Sequence, residues 1–126
     1  MHTNIAFTSD PLAPPLLELP SREIGACVEF LGIVRELEYG EALAGLHYEA
    51  YEPMAHRELT RIFTALHALH PCAAVVFIHR TGWVPVGEAS LFIRVLAAHR
   101  GEALRFLEAA INLMKADVPI WKRAGG

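Results

Sequence analysis

Apolar and polar residues alternate along this chain in runs that change period several times. From Gly25 the period is two, with Val28, Phe30 and Val34 on one face and Glu29 and Arg35 on the other, which predicts a half-buried strand. The polar stretch from Glu36 to Glu41, with Gly40 inside it, predicts a hairpin-like loop. A second strand is expected over about Leu43 to Tyr51, where Leu46, Tyr48 and Ala50 alternate with His47, Glu49 and Tyr51. Pro53 suits a helix start, and Leu59, Ile62, Phe63 and Leu66 then recur at helical spacing as far as about Leu69. Pro71 stops that helix.

An apolar strand, Ala73 to Ile78, comes next, then a turn through Gly82, Pro85 and Gly87. A long strand from Ala89 to Ala97 runs directly into His99-Arg100. Gly101 opens the last helix, whose apolar face is expected to carry Leu104, Leu107, Ile111 and Met114, widened by Ala103, Ala110 and Leu113. Pro119 ends it, and Ile120-Trp121-Lys122-Arg123 trails out towards Gly126. The order β-β-α-β-β-α predicts an α+β fold, one mixed or antiparallel sheet with helices packed on it.

Composition narrows the class without naming a reaction. The 126 residues suit a single domain spanning 1–126, and 53% are hydrophobic against 20% charged, which excludes intrinsic disorder. Half of the eight prolines fall at Pro11, Pro14, Pro15 and Pro20, so residues 1–20 are expected to form an extended arm, turn-rich from 8 onward, with 117–126 a C-terminal segment. A net charge of −3 disfavours nucleic acid as a partner. No apolar run approaches the ~20 residues of a membrane span, and the start Met1-His2-Thr3-Asn4 lacks a secretory signal. Cys27 and Cys72 make neither a disulfide framework nor a metal site, so a cytoplasmic setting is expected. Cys27 lies in a strand pattern that predicts a buried, inert thiol.

The candidate chemistry is cationic. Lys115, Lys122 and Arg123 cluster around Pro119-Ile120-Trp121, and His99-Arg100 sit where a strand feeds a helix N-terminus, a natural anion site. Lys115 equally complements the dipole at a helix C-terminus. Arg35 ends an apolar strand and can point into a cleft or pair with Glu36 or Glu38. His67, His70 and His79 show no ligand spacing recognisable for zinc, and no phosphate-binding loop or nucleophile elbow is present.

The ordered segments carry more information than any one of them. Gly25-Ala26, Phe30, Gly32 and Val34-Arg35 are similar to a G-A-x-x-x-F-x-G-x-V-R signature, and Tyr48-Glu49-Ala50-Tyr51 with Met54-Ala55 to a Y-E-x-Y-x-x-M-A element. His79-Arg80-x-Gly82, Gly87-Glu88, His99-Arg100 and Lys115 with Pro119-Ile120-Trp121-Lys122 complete a pattern over about residues 5–123. In this the chain resembles the MoaE family, the large catalytic subunits of molybdopterin synthase, and the resemblance implies an α/β-hammerhead type of fold.

The same resemblance implies an activity. The family converts cyclic pyranopterin monophosphate (precursor Z) to molybdopterin by inserting two dithiolene sulfurs; no cofactor or metal is expected for this chain. Sulfur comes from a small ubiquitin-like sulfur-carrier subunit bearing a C-terminal Gly-Gly thiocarboxylate, within a heterotetramer built on a homodimer of large subunits. Carried over by position, Lys115 and Lys122 are the expected catalytic groups. Ile33, Val34, Arg35, His99, Arg100, Lys115, Lys122, Arg123 and Ala124 are the expected substrate-binding residues. Cations so placed would stabilise the negative charge that builds as sulfur attacks and the cyclic phosphate opens.

The chain also departs from the family. The family continues past the Trp-Lys segment with a charged tail that helps complete the pocket, and this sequence stops at Gly126, so that contribution is expected to be missing or supplied otherwise. A non-catalytic paralogue that binds a pterin phosphate or the small subunit is the alternative this raises. Asn112 replaces a common Asp and Leu104 a common Phe, both expected to be packing changes. Gly125-Gly126 resembles the carrier's terminus, but no ubiquitin-like domain precedes it, so a frayed end is expected.

Overall fold

A computed structural model describes residues 1–38 and 40–124. The elements in chain order are β1 (His2–Thr8), β2 (Ala26–Ile33), β3 (Leu37–Glu38), β4 (Glu41–Ala42), β5 (Gly45–Ala50), α1 (Glu52–Leu69), β6 (Ala74–Arg80), β7 (Gly82–Pro85), β8 (Ala89–Ala97), α2 (Arg100–Asp117) and β9 (Ile120–Ala124). The fold is α+β, and the expected sequence of two strands, a helix, two strands and a helix survives as β2-β5-α1-β6-β8-α2. The short strands are additions to it. Gly125-Gly126 lies outside the described residues.

Strands β1-β6-β8-β2 form a mixed four-stranded sheet, parallel between β1 and β6 and antiparallel elsewhere. Strand β8 has neighbours on both edges, and every residue from Ser90 to Ala97 is buried, which explains its nearly unbroken apolar run. Its residues Leu91, Ile93, Val95 and Ala97 join Val75 and Phe77 of β6 under the two helices. The helices contribute Ala55, Leu59, Ile62, Phe63 and Leu66 from α1 and Ala103, Phe106, Leu107, Ala110 and Met114 from α2. Ring contacts of 6.1 Å between Phe63 and Phe77 and 5.9 Å between Phe63 and Phe106 tie both helices to the sheet.

A second sheet, β7-β5-β9, is antiparallel and packs around a smaller cluster of Val34, Leu46 and Val84. The sequence motif His79-Arg80-x-Gly82…Gly87-Glu88 acquires a structural meaning where the chain passes between the sheets. Gly82 and Gly87 have φ of +80° and +88°, which a residue without Cβ adopts freely. Between them β7 turns back, and Arg80 Nη1 donates to Glu88 Oε1 at 2.7 Å across the base of the excursion.

Several expectations are corrected. The arm over 1–20 does not include its first residues: His2–Thr8 is β1, because Ile5 and Phe7 alternate onto the large core while the backbone pairs with β6. The Gly82–Pro85 part of the expected turn is β7, and the segment trailing after Pro119 is β9; each is held by pairing with β5. Leu104 is exposed and Phe106 takes its place in the core, so the apolar stripe of α2 is rotated from the expected one. Cys27 is exposed, not buried, because it lies on the face of β2 opposite Ala26, Val28 and Phe30, which pack on the core. Among the described residues no helix is long and apolar enough to cross a membrane.

The two thiols therefore differ in access. Cys72 is buried, and desolvation pushes its thiol up to about 11, whereas Cys27 is open to solvent with a milder upward shift from burial and from Glu29. A thiol reagent at about pH 8 is expected to modify Cys27 alone in the native protein and both thiols after denaturation. Native labelling that persists in Cys27→Ser would contradict this packing.

Candidate functional site

A cavity of about 760 Å3 opens where the end of β2, the end of α2 and the second sheet meet. That is within the size range of small-molecule sites. Each wall follows from a local feature of the sequence. The pairing of β2 with β8 shifts register between Gly32 and Ile33, so the strand breaks step there and releases Val34 and Arg35 from the ladder. Val34 N–H then donates to Glu88 O at 3.0 Å, and its side chain enters the small cluster. Ile33, Val34 and Arg35 thereby line the cavity from one side.

The opposite wall is the last turn of α2 and the strand after it. Met114 is buried in the core and Lys115, next to it, is exposed, which sets the ammonium at the rim. Val118 caps the helix in extended conformation, its N–H donating to Met114 O, and Pro119 follows, so the chain turns into β9. Lys122 is the register partner of Tyr48, and both line the cavity with Ile120 and Trp121. Lys115 stands near the negative end of the helix dipole, which stabilises its charge.

The floor contains a buried histidine. His79, the last residue but one of β6, lies on the core side of the large sheet, with rings of Tyr48 at 5.1 Å, Phe77 at 6.3 Å and Phe7 at 6.5 Å around it. Its Nδ1 lies 2.7 Å from Arg80 O. A carbonyl oxygen only accepts, so Nδ1 carries the proton. Burial lowers the pKa of His79, against a smaller opposing effect of that hydrogen bond.

The expected site residues thus fall into groups. Ile33, Val34, Arg35, Lys115 and Lys122 line one cavity. His99 and Arg100 line a separate recess of about 420 Å3 with Gly25, Ala98 and Gly101 at the N-terminus of α2. Arg100 and Lys115 are 15 residues apart on one helix, hence about 22 Å along its axis. Gly25 permits the close approach of the two backbones here, since a Cβ there would stand 2.3 Å from Ala98 O. Arg123 points its guanidinium to Glu49, 3.3 Å away, and neither it nor Ala124 lines the cavity. His79, Tyr48, Ser90 and Trp121 line it and were not singled out for a site role from the sequence. The apolar neighbours of His79 and its place inside the His79-Arg80-x-Gly82 motif were the available signal.

Comparison with known proteins concerns the chain as a whole. Residues 7–117 match the family described as MoaE protein. The molybdopterin synthase catalytic subunit of Aspergillus niger is 40% identical over 125 residues, covering 98% of this chain and 69% of that protein. The human molybdopterin synthase catalytic subunit is 41% identical over 99 residues, and the match spans 79% of this chain and 53% of the human one. The crystal structure of molybdopterin synthase from Staphylococcus aureus superposes with a TM-score of 0.82 at 31% identity, covering 98% of this chain and 89% of that one. A complex of subunits 1 and 2 of the molybdopterin-converting factor from Helicobacter pylori superposes at 0.67 with 28% identity, over 82% of this chain and 67% of that one.

The lowered pKa of His79 gives stability a pH dependence with a definite sign. The unfolded chain binds this proton near the ordinary value of 6.5, whereas the folded chain binds it only at lower pH. Unfolding therefore takes up a proton as pH falls through that window, and stability is lost there. Between about pH 7 and about pH 5, the denaturation midpoint of wild type is expected to fall more than that of His79→Gln. Parallel declines would show that His79 titrates alike in both states.

Proposed function

The chain belongs to the MoaE protein family, and from that premise we propose that it is the catalytic subunit of a molybdopterin synthase, acting on cyclic pyranopterin monophosphate in the Lys115 cavity. The observation that carries this is the convergence of Arg35 from the segment after β2, Lys115 from the end of α2 and Lys122 from β9 on one cavity of about 760 Å3. Three of the side chains that line the cavity are cationic, which suits a phosphate-bearing substrate.

Two dithiolene sulfurs come from the thiocarboxylate terminus of a small ubiquitin-like subunit whose tail enters the same cavity. Lys115 and Lys122 stabilise the negative charge that develops on the reacting atoms, and Arg35 holds the phosphate. Ile33, Val34 and Trp121 supply the apolar walls that keep water from competing for the intermediate. The complex known from Helicobacter pylori supports a small-subunit partner of this kind.

His99 and Arg100 join this site only through a second copy of the chain. In one chain they stand about 22 Å from Lys115 along α2, too far for one small substrate to bridge. A homodimer that brings the α2 N-terminus of one protomer to the cavity of its partner reconciles their separation with a shared substrate, and gives the recess at Gly25 its place.

Lys115→Ala is expected to lower molybdopterin formation from precursor Z and thiocarboxylated small subunit by about a hundredfold or more, while the small subunit still binds. Unchanged turnover would remove Lys115 from the chemistry, and absent wild-type turnover with intact partner binding would favour a binding paralogue. Inactive Lys115→Ala and Arg100→Ala chains, mixed and re-annealed, are expected to regain part of the activity. No regain would place both groups in the same protomer's site. Substrate affinity is expected to weaken as ionic strength rises, because several cations hold the phosphate; a salt-independent dissociation constant would put them outside the site.

A further inference from the structure

The cations of the cavity explain how it attracts an anion and leave open how it tells one anion from another. Arg35, Lys115 and Lys122 have only donors to offer. A pterin also carries donors of its own, ring N–H and amino groups, and each needs an acceptor if it is buried on binding. Among the described lining residues the side chains with nitrogen or oxygen acceptors are Tyr48, His79 and Ser90. Ser90 Oγ lies 3.4 Å from Gly32 O and donates to it. His79 is set apart from the other two by its fixed geometry.

Three features fix that geometry. The ring is 4% exposed and wedged among Phe7, Tyr48 and Phe77, so it cannot turn freely. Its Nδ1 proton is committed to Arg80 O, so in the neutral ring Nε2 has a free lone pair. The buried polar atoms sealed without a partner are His47 Nδ1 and Arg80 Nε, and Nε2 of His79 is not among them. His79 lines the cavity, and among the described residues Nε2 has no hydrogen-bond partner in the protein. Burial also keeps the ring from charging, which preserves the lone pair beside so many cations.

We infer that His79 Nε2 is a specificity-determining acceptor that takes a hydrogen bond from a ring N–H or amino group of the bound heterocycle, while the cations take its phosphate. This rests on the cavity being the pterin site. It divides recognition into a charge-reading rim, formed by Lys115, Lys122 and Arg35, and a donor-reading floor. The floor is rigid because the same aromatic packing that roots the core also holds the imidazole. A donor-free anion uses the rim alone.

The test compares His79→Phe, which keeps an aromatic ring and removes the acceptor, with His79→Gln, whose amide oxygen can stand where Nε2 stood. Dissociation constants are measured for cyclic pyranopterin monophosphate and, by competition, for sulfate, which has no donor. Thermal unfolding of each variant establishes that it is folded. His79→Phe is expected to weaken pterin binding about tenfold, the size of one net hydrogen bond, with sulfate affinity unchanged and His79→Gln recovering most of the loss. Equal pterin affinity in wild type and His79→Phe overturns the assignment while leaving the cavity as the pterin site. Equal losses for pterin and sulfate overturn it as well, since they would make His79 a packing residue. If wild type itself does not bind the pterin, the function of the cavity falls and the acceptor role with it.

Discussion

The placement of strand β8 constrains everything else. It is hydrogen-bonded to β2 on one edge and β6 on the other, and it is buried on both faces. At its end the chain passes through Ala98 and His99 into α2, which runs back over the sheet. One continuous unit, strand then helix, thereby sets two places at once. Its junction makes the recess at Gly25, whose N–H donates to Ala97 O at 3.0 Å. Its far end delivers Lys115 beside the loosened end of β2. A slip of β8 by one residue would send Leu91, Ile93 and Val95 to the wrong face and displace both sites together.

The cavity's second wall is held more lightly. Val34, Leu46 and Val84 are its buried apolar centre, with Leu43, Tyr48 and Val86 partly buried around them, against the much larger core beneath the helices. Few buried apolar contacts give a unit low local stability, and the strand that carries Lys122 belongs to this one. Tyr48 is the link between the two units, pairing with Lys122 in register and meeting His79 by its ring edge. The wall that carries Lys122 therefore belongs to the less heavily packed part of the fold. The His79 floor belongs to the rigid part.

How much of this the sequence disclosed follows the range of the interactions involved. Helix α1 and strand β8 were legible almost to the residue, because local period and Pro71 decide them. Strands β1, β7 and β9 were not, because short segments such as Ile120-Trp121-Lys122-Arg123 become strands only through a distant partner. In β9 that partner, β5, lies some seventy positions earlier, roughly the sort of loop closure that local propensity cannot report. For α2 the period was right and the face was not: Phe106 and Leu104 compete for one stripe, and the width of the helix face in contact with β8 chooses Phe106. Arg35, Lys115 and Lys122 were identifiable as cations at element ends. That they share a cavity, while His99 and Arg100 do not, is a fact of topology that spacing along the chain does not contain.

The sulfur transfer proposed above places a last requirement on the molecule, and the positions of the two thiols answer it. A nucleophile must be ionisable and within reach of the cavity. Cys72 is neither, buried and with its thiol pushed up to about 11. Cys27 is accessible but lies three residues before Phe30, about 10 Å along β2 from the nearest cavity-lining residue on that strand. Neither lines the site. A cavity that gathers cations and an acceptor around an apolar wall, and leaves its own thiols outside, is equipped to bind and stabilise. In the reaction proposed above, the reacting sulfur therefore comes from elsewhere, on a carrier. The proposed carrier tail, ending in two glycines and a thiocarboxylate, suits that role because it brings its own nucleophile and has no side chains at its end.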